Sequence, residues 1–269
     1  MLGKALVNKF RIQIIPTDFP DLDITQSNAT KKIIDLNPTI VLHLAAYTDV
    51  DKAELNPDRA WKVNSIGTKN VALACQKLEI PILYVSTAYI FDGEKCTPYV
   101  EWDSPNPISV YGATKLEGEL WIKNLVSKYW ILRTSGLYGD GGNNFVSAIL
   151  KKAKKGQEIK VVADQIGSPT YTKDLALAIL KLLKTTNFGT YHITNSDWTS
   201  WYEFAQAILE IKKIHCDVLP ISSSELNRPA KRPKNSRLLN FMWERTFGKP
   251  LRHWKEALNE FLRFRRADP

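Results

Sequence analysis

Pro81-Ile82-Leu83-Tyr84-Val85-Ser86-Thr87 is a continuous apolar run that ends in two hydroxyls. A strand covered on both faces has this composition, whereas a strand with one wet face alternates. In an open parallel sheet the C-terminal strand ends border the ligand crevice, so this run carries Thr87 to that edge. Similar runs at 11–16, 39–45, 130–133, 159–162 and 190–193 read as further strands. Amphipathic stretches at 26–36, 57–77, 111–126, 145–155 and 173–184 separate them and read as helices. In 111–126, Ala113, Leu116 and Leu120 keep an i, i+3, i+7 stripe, with Lys115, Glu117 and Glu119 mostly off it. This alternation predicts an α/β fold, a doubly wound, Rossmann-like parallel sheet with helices on both faces. After residue 194 the pattern shifts to helices at 199–211, 241–246 and 251–263, which predicts a smaller helix-rich C-terminal substrate domain. The expected division is 1–142 with 170–195 as a dinucleotide-binding domain, and 143–169 with 196–269 as the substrate domain.

The 269 residues are 44% hydrophobic and 24% charged, a balance that excludes wholesale disorder, collagen-like repetition and a disulfide-stapled miniprotein. The longest apolar run, at 40–46, contains His43 and falls far short of the roughly 20 residues that cross a bilayer. Met1-Leu2-Gly3-Lys4-Ala5 has no secretory pattern, and Cys75, Cys96 and Cys216 form no CxxC pair. The reading is a cytoplasmic protein without a metal site. Twelve Lys/Arg against four acids from residue 228 onward hold +8 of the net charge of +9. Such a patch suits nucleic-acid phosphates, one compact phosphorylated substrate, or plain solvation of the last helices. No helix-turn-helix, zinc finger or RNA-binding aromatic motif accompanies it, which argues against nucleic acid. Within it, Arg228-Pro229-Ala230-Lys231-Arg232-Pro233 sets cations in a loop stiffened by two prolines, a fit for an anion.

Tyr111-Gly112-Ala113-Thr114-Lys115 opens the helix that follows the 82–86 strand. Residues i and i+4 share a helix face, so an ammonium sits beside a phenol. A nearby cation is expected to lower the phenol's pKa from about 10 and make it a competent proton donor. With Thr87 at the strand end, hydroxyl, phenol and ammonium together suit carbonyl reduction.

On these residues the chain resembles the extended short-chain dehydrogenase/reductase superfamily, and within it the dTDP-4-dehydrorhamnose reductase family. The likeness runs through Leu2-Gly3-Lys4, Leu22-Asp23-Ile24-Thr25, Ala45-Ala46-Tyr47-Thr48-Asp49-Val50-Asp51-Lys52-Ala53-Glu54, Val63-Asn64 and Gly142-Asn143-Asn144-Phe145. Asp164-Gln165-Ile166-Gly167-Ser168-Pro169-Thr170 and Ser200-Trp201-Tyr202-Glu203-Phe204 are its most specific segments. The resemblance implies reduction, by NADPH or NADH, of the C4 keto group of a dTDP-linked 4-dehydro-6-deoxy sugar, in rhamnose and surface-polysaccharide biosynthesis. It implies Thr87, Tyr111 and Lys115 as the catalytic set. On the cofactor side it implies Leu2, Gly3, Asp18, Asp23, Ile24, Ala45, Ala46 and Tyr47. The substrate side takes Thr87, Ala88, Tyr89, Asn144, Gln165 and Thr170, and the basic loop adds Arg228 and Arg232. The expected partner is a sugar nucleotide, with a homodimer as the assembly to test and no membrane.

Structural readings stand beside these. Asp23-Ile24-Thr25 also reads as a helix cap with Thr25 as N-cap, Asn143-Asn144 as a turn, and Asn64 as either a site or a framework residue. Two positions depart from the family: Ala88 stands where Asp is usual, and Gly136 where Trp is common. Both bear on which sugar is used. Residues 2–7 read as the first helix, with Gly3 as the last glycine of a dinucleotide turn. The strand expected before that turn would lie between those at 11–16 and 82–86, so the reading places the native start about ten residues upstream. The rival is a non-catalytic nucleotide-binding regulatory subunit, favoured by Ala88, Gly136 and the missing turn and opposed by the intact Thr87, Tyr111 and Lys115.

Overall fold

A computed structural model describes residues 1–9 and 14–264. Its centre is a four-stranded parallel sheet of β1 (Val41–His43), β2 (Ile82–Thr87), β3 (Tyr129–Thr134) and β4 (Gly189–His192), in that spatial order. Parallel neighbours need long crossovers, and helices supply them. β2 and β3 pair along their whole length, from Ile82 opposite Tyr129 to Thr87 opposite Thr134. The two threonines therefore stand side by side at the C-terminal edge.

The two-residue period of a strand sorts its side chains between two cores. Ile82, Tyr84 and Ile131 pack with Ile33, Val71 and Ile122 on one face. Leu83, Trp130 and Leu132 pack with Leu2, Leu6, Leu175 and Ile179 on the other. Helices α2 (Thr68–Leu78) and α3 (Val110–Leu125) cover the first face, and α1 (Leu2–Lys9) and α4 (Thr172–Leu182) the second. Each fully buried Leu or Ile contributes about 1.5–3 kcal/mol, so neither face of the sheet can be left open. A third core joins helices Phe145–Ala153, Trp201–Lys212 and Trp254–Phe264 through Val146, Ile149, Phe204, Ile208, Leu258 and Phe261.

Several expectations change. Residues 11–13 lie outside the described residues, and 14–16 are not a strand. β1 and β3 occupy the two edges of β2, so the place suggested for a further strand beside 82–86 is taken by Val41–His43. The strand Ile159–Val162 is present but leaves the central sheet to pair with Val218–Ile221, whose Pro220 hides it in the sequence. The run at 57–77 is broken by the π-helical segment Lys62–Gly67, which lies between Pro57–Trp61 and α2. The helix expected from 199 starts at Trp201, because Ser200 and Glu203 form a capping box ahead of it.

Candidate active site

β2 ends at Thr87, and the chain turns at once through the short 3-10 segment Ala88–Ile90, where the Tyr89 amide donates to Thr87 Oγ1 at 3.2 Å. Ser109 caps α3 by accepting the Gly112 amide. A Cβ on Gly112 would lie 2.1 Å from the Tyr89 carbonyl oxygen, so only glycine lets the helix start this close to the turn. That approach brings Tyr111 to the strand end. The Thr87 side chain hydrogen-bonds its phenol, and the Tyr89 ring meets the Tyr111 ring edge-on at 6.0 Å between centroids.

Lys115, one turn on, is 2% exposed. Its Nζ lies 3.9 Å from the centroid of the Tyr84 ring, a cation–π contact, and the Tyr84 hydroxyl donates to the Lys115 carbonyl at 3.3 Å. Burial pulls the ammonium down to about 7, against the field of Glu119. The same burial pushes the Tyr111 phenol up to about 12, with the Thr87 hydrogen bond pulling the other way. The expected lowering of the Tyr111 pKa by Lys115 is thus corrected. Desolvation is the largest effect, the Lys115 ammonium lies over the Tyr84 ring, and the phenol keeps its proton throughout the neutral range.

Ala45, Ala46 and Tyr47 follow the end of β1. Asn64, in the π-helical segment, clasps this loop: its Oδ1 accepts the Tyr47 amide at 2.7 Å, and its Nδ2 donates to the Tyr47 carbonyl and to Thr114 Oγ1. Gly3, in the first turn of α1, lies beside Leu44, immediately after β1. The Leu2 side chain belongs to the core. Asp23 closes a turn; it accepts from Gln26, the Thr25 amide and the Thr25 hydroxyl, which together lower its pKa. The helix that follows begins only at Ala29, so Thr25 is not its N-cap. Ile24 is buried against Gly67. Asp18 is exposed and accepts the Phe19 amide instead of ending a strand. These residues fit a dinucleotide along the strand ends: α1 opens beside the end of β1, and Thr134 Oγ1, opposite Thr87, is buried without a hydrogen-bond partner.

The residues expected to face the substrate separate into two groups. Asn144 caps the helix Phe145–Ala153 in a capping box and donates to the Gly139 carbonyl. Gln165 donates to Ser223, and buried Thr170 donates to the Ser168 carbonyl. All three side chains are engaged in the framework. Ala88 is a core contact, its methyl enclosed with Ile90, Phe91, Tyr99 and Leu238, so its assignment to the substrate is corrected. Gly136 has a left-handed φ of +55°, and a Cβ there would press on Pro169 at 3.1 Å, so a tryptophan would be strained at this position. Arg228 and Arg232, by contrast, do reach the site's edge. Arg232 pairs with both oxygens of Asp51 at 2.8 and 3.0 Å and hydrogen-bonds Tyr89, while Arg228 reaches Asp51 at 3.2 Å. The role of Asp51 escaped the sequence, since no local charge pattern points to a partner 181 residues away.

A parallel doubly wound sheet whose strand-end threonine faces a Tyr-x-x-x-Lys helix defines the short-chain dehydrogenase/reductase class. Residues 1–266 match the family model described as the RmlD substrate binding domain, and the chain belongs to that family. A crystal structure of a dTDP-4-dehydrorhamnose reductase from Clostridium acetobutylicum is 45% identical, with a TM-score of 0.94 over 97% of this chain and 95% of that one. The Bacillus anthracis dTDP-4-dehydrorhamnose reductase, solved in complex with NADP, is 42% identical, with a TM-score of 0.94 over 97% and 94%. The spore coat polysaccharide biosynthesis protein SpsK of Bacillus subtilis is 42% identical over 228 residues, 85% of this chain and 80% of its own. Among the described residues no helix is long and apolar enough to cross a membrane, and no cluster of His, Cys, Asp or Glu could hold a metal ion.

Proposed function

We propose that the protein reduces the C4 keto group of a dTDP-linked 4-dehydro-6-deoxy sugar, dTDP-4-dehydrorhamnose, to give dTDP-L-rhamnose. The observation that carries this reading is the junction of Thr87, Tyr111 and Lys115 at the strand ends. It occurs in a chain alike over nearly its whole length to two proteins of that name, one of them holding NADP. Bound NADPH or NADH supplies the hydride. Tyr111 holds a proton on its hydroxyl and gives it to the carbonyl oxygen as negative charge develops there. Thr87 orients that phenol, and Lys115, when charged, stabilises the tyrosinate left behind.

Leu2, Gly3, Asp18, Asp23, Ile24 and the 45–47 loop line the dinucleotide in this reading. Leu2, Asp23 and Ile24 contribute main chain, because their side chains are occupied. Tyr89, Arg228 and Arg232 meet the sugar nucleotide, its diphosphate included; Asn144, Gln165 and Thr170 hold the walls. Residues 1–142 with 170–195 serve the cofactor, and the remainder serves the sugar, as the separate third core supports. A cytoplasmic homodimer completes the proposal. Ala88 and Gly136, which favoured a non-catalytic subunit, each have a packing reason.

The test follows NADPH absorbance with dTDP-4-dehydrorhamnose as substrate. Tyr111→Phe is expected to lower kcat by about 10²–10⁴ with cofactor Kd unchanged. More than a tenth of the wild-type turnover in that variant refutes the role of Tyr111.

A further inference from the structure

Behind the three site residues lies a buried ion cluster that the reduction itself does not use. Glu119, fully enclosed on α3, lies one turn beyond Lys115. Its Oε1 accepts from Ser86 Oγ at 2.5 Å and from Arg133 Nε at 3.0 Å, and its Oε2 accepts from Arg133 Nη2 at 2.8 Å. Arg133, 1% exposed on β3, donates through Nη1 to the Glu101 carbonyl. The Glu101 carboxylate in turn accepts the amides of His192 and Met242. Ser86 immediately precedes Thr87, so one carboxylate joins the end of β2, the helix bearing Tyr111 and Lys115, and β3.

We propose that Glu119 is a positioning residue: its carboxylate locks the Ser86-Thr87 strand end to the helix that carries Tyr111 and Lys115, and it sets a negative charge one turn from Lys115. The proposal rests on the reading of Tyr111 and Lys115 as the acid and its support. Among the described residues, the groups that face Lys115 leave Glu119 as their one negative charge. From β2 comes the Tyr84 ring; from β1 comes His43, held neutral because burial lowers its imidazole to about 3. On α3 are Tyr111, which keeps its proton, and Glu119 itself, with Lys123 3.9 Å beyond and Arg133 opposite on β3. A Glu–Arg pair buried this deeply adds little over an apolar pair of equal volume, so its stability alone does not account for it.

The experiment reads the lysine directly. The 13Cε resonance of Lys115, identified by its loss in Lys115→Arg, is titrated in the wild type and in Glu119→Gln, without substrate. The midpoint is expected to fall by about one pH unit in Glu119→Gln, a tenfold change, and kcat to fall about tenfold with cofactor Kd unchanged. Where the single variant does not fold, Glu119→Gln with Arg133→Met removes both members of the buried pair. That pair is expected to lower the midpoint by about half a unit, a threefold change. A wild-type midpoint in whichever variant folds overturns the proposal. A wild type whose Lys115 titrates as described but which reduces no keto sugar instead overturns the functional reading, and the two failures are therefore distinct.

Discussion

Replacing Lys115 with methionine is expected to make the protein more stable while disabling it. Burial holds the folded ammonium at about 7, against 10.5 for an ordinary lysine. Below pH 7 the side chain is protonated in both states, and at about 1.4 kcal/mol per pH unit the folded state carries a burden of about 5 kcal/mol. Between pH 7 and 10.5 the folded lysine is neutral while the unfolded chain still binds the proton, so unfolding free energy climbs with pH by about 1.4 kcal/mol per unit. Above 10.5 neither state is charged and the burden has gone. Methionine has a similar length and no charge, and its sulfur suits the face or edge of the Tyr84 ring. Lys115→Met should therefore exceed the wild type by about 3–5 kcal/mol at pH 6, about 6–20 °C in melting temperature, with the gap closing toward pH 10. Urea unfolding followed by circular dichroism at pH 6, 7.5, 9 and 10 measures it. A gap that does not vary with pH, or a less stable variant at pH 6, refutes the argument that burial strains this lysine.

Other outcomes follow from the same geometry. If charged Lys115 supports the acid, kcat/KM should fall as pH rises through about 7, and a flat profile from pH 6 to 9 contradicts that role. Gly112→Ala forces a methyl to within 2.1 Å of the Tyr89 carbonyl and should cost about 1–3 kcal/mol together with turnover; an unchanged melt and kcat refute the tight approach. Exchanging Arg228 and Arg232 for Gln should raise KM for the sugar nucleotide with little change in kcat, and Asp51→Asn, which frees both guanidinia, should lower it. Constant KM in both would leave the arginines as partners of Asp51 alone.

The parts of the fold that stand clear in the sequence are those whose signal is local. The apolar run of β2 and the stripe of α3 lie within one residue of their expected ends, because a strand covered on both faces and a helix with one apolar flank each leave a mark in consecutive residues. The hydrogen bond between Thr87 and Tyr111, with Lys115 one turn along the same helix, was legible for the same reason: strand-end position and i, i+4 spacing are short-range facts. What depended on distant chain was hidden. Val218–Ile221 is a strand only because Ile159–Val162 lies beside it. The two-residue strands Ile166–Gly167 and Asn235–Ser236 have no periodicity to show. Ala88 reads as a substrate position until Leu238 and Tyr99 close over it. The Tyr111 phenol went the other way from expectation because spacing reports which charges are near, while burial, the larger effect here, is a property of the finished fold.

The bond between Asp51 and Arg232 also has a meaning in time. All four strands of the central sheet are complete by residue 192, yet the residue that fastens Asp51 comes 181 positions after it. At 5–20 residues per second a ribosome takes roughly 10–40 s to travel from one to the other. Met242, which the Glu101 carboxylate also holds, arrives later still. Contacts this far apart in the chain close last, since the loop entropy must be met before the contact rewards it. A nascent chain thus carries a finished sheet while Asp51 is still unfastened, and that clasp closes only after Arg232 has been made.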